Sequence, residues 1–344
     1  MTLIAPKNSA LVMGGGVIGL FVASALQDQG MNVTVIEAAT AGRSASWAAG
    51  GILSPLPPWQ ADAEVWALAQ ESIERYPALC AGLHARTGID PQWTPSGLWV
   101  ADADDGRDAW LRSHGLPAQP QTVRVNGEPQ DGYLLPWVAQ LRSPRLMQAL
   151  IADFTARGGV LLQQQGAVQW QMSGQTVQAV VTADGHCHRA EHYVLAAGAW
   201  SAGVAAQLGI ESPVRPVRGQ MLLIRAGAAA LQQVLLMGDR YLIPRRDGRI
   251  VVGSTVEHTA FDANTTQEAH DGLLRFAQRL FPTVTAKDIE AQWAGLRPMA
   301  APNGVPLIGR LGRLENAWQC TGHYRNGITL APASAKRLVR EMAI

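Results

Sequence analysis

Residues 10–19 read Ala-Leu-Val-Met-Gly-Gly-Gly-Val-Ile-Gly, and this stretch decides the fold. Its first four residues are apolar and predict a buried strand. The glycines fit the pattern G-x-G-x-x-G, and Leu20–Gln29 then predicts a helix that ends at Gly30. A second apolar run, Val33–Ile36, leads to Glu37. The order of strand, glycine turn, helix, strand and acid is typical of a dinucleotide-binding unit.

Each part of this motif has a physical task. Gly14 permits a tight turn, Gly16 lets the backbone approach a pyrophosphate, and Gly19 lets the helix pack closely. The first turn of the helix offers free N–H groups and a positive dipole to phosphates. Glu37 is placed to accept hydrogen bonds from a ribose. The motif leaves open NAD, FAD or a glycine turn without a ligand, because NAD and FAD share an ADP half.

Composition limits the class of protein. The chain has 344 residues, of which 47% are hydrophobic and 16% charged, so it predicts a well-buried globular protein. A net charge of +1 without a basic block argues against nucleic acid as a partner. No apolar run reaches the roughly 20 residues of a spanning helix, and the first residues lack a signal-peptide pattern. We therefore expect a cytoplasmic protein without a membrane partner.

The cysteines Cys80, Cys187 and Cys320 are scattered and odd in number, which argues against a disulfide framework. The run His186-Cys187-His188 suggests a metal site at first sight. It follows an Asp184-Gly185 turn, however, and has no second ligand cluster nearby. A hairpin is the favoured interpretation, because structural zinc needs four ligands at set spacings. We expect no metal.

Two later segments predict further ligand contacts. An apolar strand, Tyr193–Ala196, leads to the small residues Ala197 and Gly198, which allow a flat ligand close to the backbone. Near the C-terminus, the polar loop 322–327 precedes a predicted helix over Ile328–Glu341. A helix N-terminus behind such a loop favours negative charge. Alone, the first of these segments is equally typical of an ordinary strand-to-helix turn.

Together these blocks resemble a known family. Residues 194–201 (Val-Leu-Ala-Ala-Gly-Ala-Trp-Ser), 241–255, 295–298 (Gly-Leu-Arg-Pro) and 322–327 (Gly-His-Tyr-Arg-Asn-Gly) follow the glycine motif in order. They are similar to the D-amino-acid oxidase superfamily of FAD-dependent oxidoreductases, and within it to the glycine oxidases of thiamine biosynthesis. The resemblance spans nearly the whole chain and implies non-covalent FAD, because the cysteines do not match the covalent linkage of sarcosine-oxidase relatives.

The resemblance also implies the fold. We expect a mixed α/β (α+β) chain in which a Rossmann-like FAD-binding domain is interleaved with a substrate domain built on a large, mostly antiparallel sheet. The FAD-binding domain would comprise 1–88, 143–212 and 298–344, and the substrate domain 89–142 and 213–297. A hairpin turn at 246–249 and a capping box at 265–268 fit the texture of the substrate domain.

The resemblance implies a catalytic site of Arg297, Tyr241, Arg325, Gly51 and Asp239. Arg297 would hold the substrate carboxylate, because a guanidinium pairs with it through two parallel hydrogen bonds. The alternative for Arg297 is a structural ion pair with an Asp or Glu. Tyr241 would hydrogen-bond the substrate, and Arg325 would lie near its entry. Asp239 stands where relatives usually carry histidine. If residues 247–248 form a two-residue turn, Asp239 and Tyr241 lie on the same face of one strand.

Two positions suggest a wider pocket. Relatives often carry methionine where Gly51 and Val256 stand, so we hypothesise that larger amino acids than glycine are accepted. The cofactor residues implied by the resemblance are Gly14, Gly16, Val17, Ile18, Gly19, Glu37, Ala38, Arg43, Ser44, Ser46, Ala49, Gly50, Gly51, Ala167, Val168, Ala197, Gly198, Trp200, Arg297, His323, Tyr324, Arg325, Asn326, Gly327 and Ile328.

The implied reaction is FAD-dependent oxidative deamination of a small amino acid (glycine, sarcosine or a small D-amino acid), with dioxygen reduced to hydrogen peroxide. Three rivals stay open at the sequence level. They are a flavin dehydrogenase that passes electrons to a quinone or protein, a subunit of a multi-protein complex, and a nicotinamide-dependent or non-catalytic nucleotide-binding protein. Relatives are often oligomeric, so a homo-oligomer is a further expectation, although no interface signature stands in the sequence.

Overall fold

The computed structural model describes residues 6–101, 106–225, 231–300 and 304–344. Within these residues the strands are β1 (Ser9–Met13), β2 (Asn32–Ile36), β3 (Leu98–Ala101), β4 (Gln119–Val125), β5 (Glu128–Leu135), β6 (Val160–Leu162), β7 (Gln169–Ser173), β8 (Thr176–Val181), β9 (Cys187–His188), β10 (His192–Leu195), β11 (Arg215–Arg225), β12 (Val234–Met237), β13 (Arg240–Pro244), β14 (Arg249–Gly253), β15 (Ile289–Met299), β16 (Leu307–Arg310) and β17 (Ala317–Thr321).

Helices connect and cover these strands. The α-helices of the described residues are α1 (Val17–Asp28), α2 (Ala45–Ala48), α3 (Ala63–Thr87), α4 (Arg107–His114), α5 (Ser143–Ala156), α6 (Ser201–Ala206), α7 (Gln267–Gln278) and α8 (Gly327–Met342). Short 3-10 turns lie at Pro58–Gln60, Gly198–Trp200, Ala286–Asp288 and Tyr324–Asn326. Among the described helices, none has both the length and the apolar character needed to cross a membrane.

The first sheet contains the predicted dinucleotide-binding unit. Its six strands have the order β16-β17-β10-β1-β2-β6, and β1 pairs in parallel with both β2 and β10. Helix α1 packs against α8, and Leu20, Leu26 and Leu338 are fully buried in their shared core. Burial of each such leucine contributes roughly 1.5–3 kcal/mol. The parallel order places the C-terminal ends of β1, β2 and β10 side by side at one edge, where ligands bind in such sheets.

The second sheet is the predicted large and mostly antiparallel one. Its eight strands have the order β15-β11-β14-β13-β12-β3-β5-β4, and only the β12–β3 pair is parallel. The expected turn at 246–249 joins β13 to β14, with Gly248 at φ 80°. Helix α7 begins one residue later than the capping box predicted, because the Thr266 hydroxyl, not that of Thr265, accepts from the Ala269 amide at 3.3 Å.

The predicted hairpin around residues 184–188 is confirmed. The Thr182 amide donates to the His186 carbonyl at 3.0 Å, and Gly185 takes φ 85° in the turn between β8 and β9. This hairpin and β7 make a three-stranded sheet. Cys187 is exposed there, and the described residues contain no group of three or more potential ligands placed to share a metal ion.

The strands follow the predicted domain division, except that β15 of the second sheet extends to Met299, past the predicted boundary at residue 297. The six-stranded sheet draws its strands from 9–36, 160–195 and 307–321, and the eight-stranded sheet draws its strands from 98–135 and 215–299. The two sheets therefore alternate along the chain. The division into an FAD-binding domain (1–88, 143–212, 298–344) and a substrate domain (89–142, 213–297) stays a prediction that this alternation supports.

Candidate active site

A cavity of about 710 Å³ lies where the first sheet meets the second. Its lining comes from the C-terminal ends of β1, β2 and β10, from the segment 44–62, from β11, β13 and β15, and from the loop before α8. This volume is within the range of cofactor and ligand sites. The chain therefore brings together at one cavity many segments that are far apart in sequence.

Most of the predicted site residues meet in this cavity. Those among its lining residues are Gly14, Gly16, Val17, Ile18, Glu37, Ala38, Ser44, Ser46, Ala49, Gly50, Gly51, Ala167, Val168, Ala197, Gly198, Trp200, Tyr241, Arg297, His323, Tyr324, Arg325, Asn326, Gly327 and Ile328. Three predicted residues, Gly19, Arg43 and Asp239, lie outside the lining.

The glycine loop is shaped by backbone clearance. Gly14 has φ 114°, and a Cβ there would lie 2.3 Å from the Ala196 carbonyl oxygen. A Cβ on Gly19 would lie 1.8 Å from the Gly14 carbonyl oxygen, so Gly19 packs the helix against the loop instead of facing the cavity. Glu37 supports the loop from the next strand, because its Oε2 accepts from the Gly15 amide at 2.8 Å.

The start of α1 is built to face an anion. Gly16, Val17 and Ile18 line the cavity, and the Val17 amide donates to Ser46 Oγ at 2.9 Å. The first turn of a helix carries N–H groups without helical partners and a positive dipole. A loop with no room for side chains, a helix N-terminus and a carboxylate at the end of β2 together fit the ADP half of FAD.

The segment beside the glycine loop is held by a buried arginine that sequence analysis missed. Arg245 donates to the Gly50 carbonyl at 2.7 Å, to Gln140 Oε1 at 2.9 Å and to the Leu141 carbonyl at 3.0 Å. Burial lowers the pKa of Arg245 to about 10, which keeps it charged at neutral pH. The Leu141 amide donates to the Gly51 carbonyl at 2.9 Å. These hydrogen bonds therefore fix the backbone of Gly50 and Gly51, which form this wall of the cavity.

Arg297 occupies the inner part of the cavity on β15. Its Nη1 donates to the Thr255 carbonyl at 3.1 Å and to the Arg218 carbonyl at 3.3 Å, and its Nη2 donates to Ser254 Oγ at 2.8 Å. All three acceptors are neutral, and no ion pair of the described residues includes Arg297. Burial lowers the pKa of Arg297, while the neighbouring Tyr241 acts to raise it. The alternative of a structural ion pair is thus unsupported within the described part of the chain.

Three glycines inside strands leave room for the neighbouring side chains of Arg297, Tyr241 and Ala48. None of the three was predicted as a site residue from the sequence. A Cβ on Gly219 would lie 1.9 Å from Arg297 Nη2, and a Cβ on Gly253 would lie 2.5 Å from Tyr241 Cε2. A Cβ on Gly295 would lie 2.7 Å from the Cβ of Ala48. Glycine in a strand interior, the one signal that could have found them, marks a close approach.

The loop before α8 contributes a buried histidine and a more accessible arginine. His323 is fully buried, and its Nε2 lies 3.0 Å from Ser334 Oγ. Burial lowers the pKa of His323 to about 3, so the imidazole is neutral and does not serve as a charged group. Arg325 lines the cavity and donates from Nη2 to the Asp239 carbonyl at 3.3 Å.

Two of the predicted site residues lie away from the cavity. Asp239 does not share a strand face with Tyr241, because β13 begins at Arg240 and Asp239 is an exposed residue of the preceding turn. Its side chain is outside the cavity lining, and only its carbonyl contacts Arg325. Arg43 is likewise exposed, with its guanidinium 5.8 Å from the centre of the Trp47 ring, so it is not part of the lining.

Gly51 and Val256 do not widen the pocket in the way that their small side chains suggested. Gly51 has φ 77°, and a Cβ there would lie 2.2 Å from the Leu141 carbonyl oxygen. The backbone therefore requires glycine, and the missing side chain does not open space beside Tyr241. Val256 is 36% exposed and lies outside the cavity lining. Neither position carries the hypothesis of larger substrates.

Comparison with known proteins places this architecture. The family model of FAD dependent oxidoreductases (DAO) matches residues 9–341. The chain is 41% identical to a glycine oxidase of Pseudomonas aeruginosa, over 98% of this chain and 95% of that protein. It is 35% identical to a bifunctional protein ThiO/ThiG of Synechocystis, over 95% of this chain and 50% of the relative. The solved glycine oxidase of Bacillus cereus superposes with a TM-score of 0.88 at 26% identity, covering 98% of this chain and 97% of that one. The chain belongs to the DAO family of FAD-dependent oxidoreductases.

Proposed function

We propose that this protein is an FAD-dependent oxidase of a small amino acid, namely glycine, sarcosine or a small D-amino acid. One observation carries the substrate class. Arg297 is a partly buried cation that lines the cavity, and within the described residues it contacts only neutral acceptors and no anion. A buried charge without a counter-ion is costly, and a substrate carboxylate supplies that counter-ion in a bidentate geometry. The names of the glycine-oxidase relatives support the same class.

The protein residues bind and orient, and they need move no proton. Arg297 holds the carboxylate, the Tyr241 hydroxyl donates a hydrogen bond to it, and Arg325 lines the cavity on the side of the loop before α8. Held by the glycine loop and the loop before α8, FAD would supply a two-electron acceptor for the hydride from the α-carbon, with dioxygen as the final electron acceptor. In total, one amino acid, one dioxygen and one water give one oxo acid, one ammonia or amine, and one hydrogen peroxide. We assign no proton transfer to His323, because it is fully buried and its Nε2 lies against Ser334 Oγ.

A role in thiamine thiazole synthesis is part of the proposal. It is supported by the relatives in which a chain similar to this one forms about half of a bifunctional protein ThiO/ThiG. A cytoplasmic location and a homo-oligomer are also proposals, the first testable by cell fractionation and the second by light scattering. The cofactor residues named above are proposed in the same way, with the exception of Arg43, and with Gly19 acting through packing.

An anaerobic titration tests the proposed reaction. The purified holoenzyme is mixed with glycine, sarcosine or D-alanine, its visible spectrum is followed, and air is then admitted. We expect bleaching of the flavin absorption by at least one of these amino acids, rapid recovery in air, and one hydrogen peroxide for each substrate consumed. Bleaching with slow recovery in air would instead identify a dehydrogenase. A flavin that no small amino acid bleaches would overturn the proposed substrate class.

A further inference from the structure

We propose that Glu257 is a positioning residue for Arg297. It lies outside the cavity lining, and it fixes the acceptors that aim the Arg297 guanidinium at the substrate carboxylate. This inference rests on the proposed function of Arg297 and extends it to a residue that would never touch substrate or cofactor. Glu257 belongs to none of the motifs that were identified in the sequence.

The carboxylate of Glu257 contacts three side chains on two segments of the chain. Its Oε2 accepts from Arg218 Nε at 2.9 Å and from Arg218 Nη2 at 2.6 Å. Its Oε1 accepts from Gln220 Nε2 at 2.9 Å and from the hydroxyl of Thr255. These contacts lower the pKa of Glu257 against the opposing effect of burial, so the carboxylate is charged at neutral pH. All its donors come from β11 or from the loop that follows β14.

Backbone hydrogen bonds also join Glu257 to β11. The Arg218 amide donates to the Glu257 carbonyl at 2.9 Å, and the Glu257 amide donates to the Arg218 carbonyl at 3.0 Å. That same Arg218 carbonyl accepts from Arg297 Nη1, as does the Thr255 carbonyl two residues before Glu257. The third acceptor of Arg297, Ser254 Oγ, belongs to the same loop.

The three acceptors of Arg297 therefore lie on two segments that Glu257 ties together. A bidentate pair with a carboxylate demands a fixed guanidinium plane, and small displacements of a positioning group weaken such an interaction strongly. Loss of the Glu257 carboxylate removes its side-chain contacts to Arg218, Gln220 and Thr255 and leaves the loop 254–257 joined to β11 by the remaining backbone and Thr255 contacts. The guanidinium of Arg297 keeps its charge but loses its fixed direction. Binding of a carboxylate ligand should suffer, while the reaction of a substrate once bound should change little.

The chain offers a matched control for this experiment. Asp262 pairs with the same arginine, with its Oδ2 2.5 Å from Arg218 Nη1, but its side chain is about half exposed and contacts neither Gln220 nor Thr255 among the described residues. Glu257→Gln and Asp262→Asn remove the same charge from the same guanidinium. Only Glu257→Gln also cuts the connection to the acceptors of Arg297.

The measurement is a spectral titration of each holoenzyme with acetate, a carboxylate that cannot be oxidised, and with acetamide as its neutral counterpart. We expect Glu257→Gln to raise the Kd for acetate and the KM for the amino acid by about tenfold, with kcat within twofold of wild type. Asp262→Asn should leave both constants within about twofold of wild type. Thr255→Val cuts the same connection from the loop side and should weaken acetate binding in the same direction.

The outcomes separate the two proposals. Equal acetate affinities for Glu257→Gln and Asp262→Asn, with binding lost in Arg297→Ala, would overturn the positioning role and leave the proposed function standing. A wild-type enzyme that binds acetate no better than acetamide would overturn both. If Glu257→Gln does not fold, an unchanged acetate affinity in Thr255→Val would overturn the positioning role on its own.

Discussion

Two arginines on paired strands show how alike residues take unlike roles. Arg218 on β11 and Arg297 on β15 lie one register position apart, since Arg218 pairs with Leu296 and Arg297 with Val217. Arg218 contacts Glu257 at 2.6 Å and Asp262 at 2.5 Å. Burial acts to lower the pKa of Arg218, but these carboxylates outweigh it and the pKa is raised.

Arg297 shows the opposite balance. Its acceptors are two carbonyls and one hydroxyl, and burial, the largest effect, lowers its pKa. A buried arginine that is already neutralised stabilises the fold, whereas one held by neutral acceptors still favours an anion. The difference teaches that the partners of an arginine, not its burial alone, indicate which of the two we propose for substrate binding.

The largest effect is expected from Arg297→Ala, which removes a cation that has no counter-ion among the described residues. Loss of a charge-assisted bidentate pair costs about 2–4 kcal/mol, a rise in KM of roughly 30-fold or more. The thermal unfolding midpoint should change little, because no ion pair of the described residues is broken. Steady-state kinetics and thermal unfolding measure the two. An unchanged KM would contradict the assigned role and erase the contrast with Arg218.

The second change, Arg218→Met, should have the opposite pattern to Arg297→Ala, with a larger effect on stability than on KM. It leaves the Glu257 carboxylate without its arginine and should lower the free energy of unfolding by about 2 kcal/mol, less than for a fully buried pair because Glu257 is partly exposed. Urea unfolding of the holoenzyme measures it. Arg225→Met on the same strand is the control, since Arg225 is 73% exposed and its pair with Glu290 should contribute little. Equal losses in both variants would show that the Arg218 network does not stabilise the fold.

A third change tests the comparison by steric exclusion alone, without removing a charge. Gly219→Ala places a Cβ 1.9 Å from the present position of Arg297 Nη2 and forces the guanidinium to move. We expect KM to rise about tenfold at nearly constant kcat. Gly203→Ala in α6 is the control, because a Cβ there meets nothing within 4 Å. A wild-type KM in Gly219→Ala would mean that the guanidinium position is not critical.

The smallest effect concerns the neutral partner of Arg297. Tyr241→Phe keeps the ring that Gly253 accommodates and removes only the hydroxyl that we assign to the carboxylate. One hydrogen bond to a charged group contributes about 1.5 kcal/mol, so KM should rise about tenfold or less. Acetate affinity should fall by the same factor in a spectral titration. If kcat falls and acetate affinity does not, the hydroxyl acts on the reaction and not on carboxylate binding.

Local sequence rules predicted the elements whose determinants are close in the chain. The strand, glycine turn and helix from Ser9 to Asp28 follow from apolar runs and from positions where only glycine fits. The turn at Gly248 and the hairpin at Gly185 follow from turn residues between alternating strands. Small boundary errors, such as the helix cap at Thr266, arise because two neighbouring threonines could each cap the helix.

The sequence by itself determined that the chain builds a dinucleotide site and where its phosphate loop lies, and it singled out Arg297 as a cation that needs a carboxylate, either from substrate or from the chain. Only the tertiary structure decided which arginine is neutralised, because Glu257 and Asp262 reach Arg218 from about 40 residues away in a loop that the pairing of β11 with β14 brings near. It likewise decided that Asp239 is excluded from the cavity and that Gly219 makes room for Arg297. Composition and spacing describe short-range preferences, whereas charge neutralisation and steric clearance depend on distances that exist only after the sheets have formed.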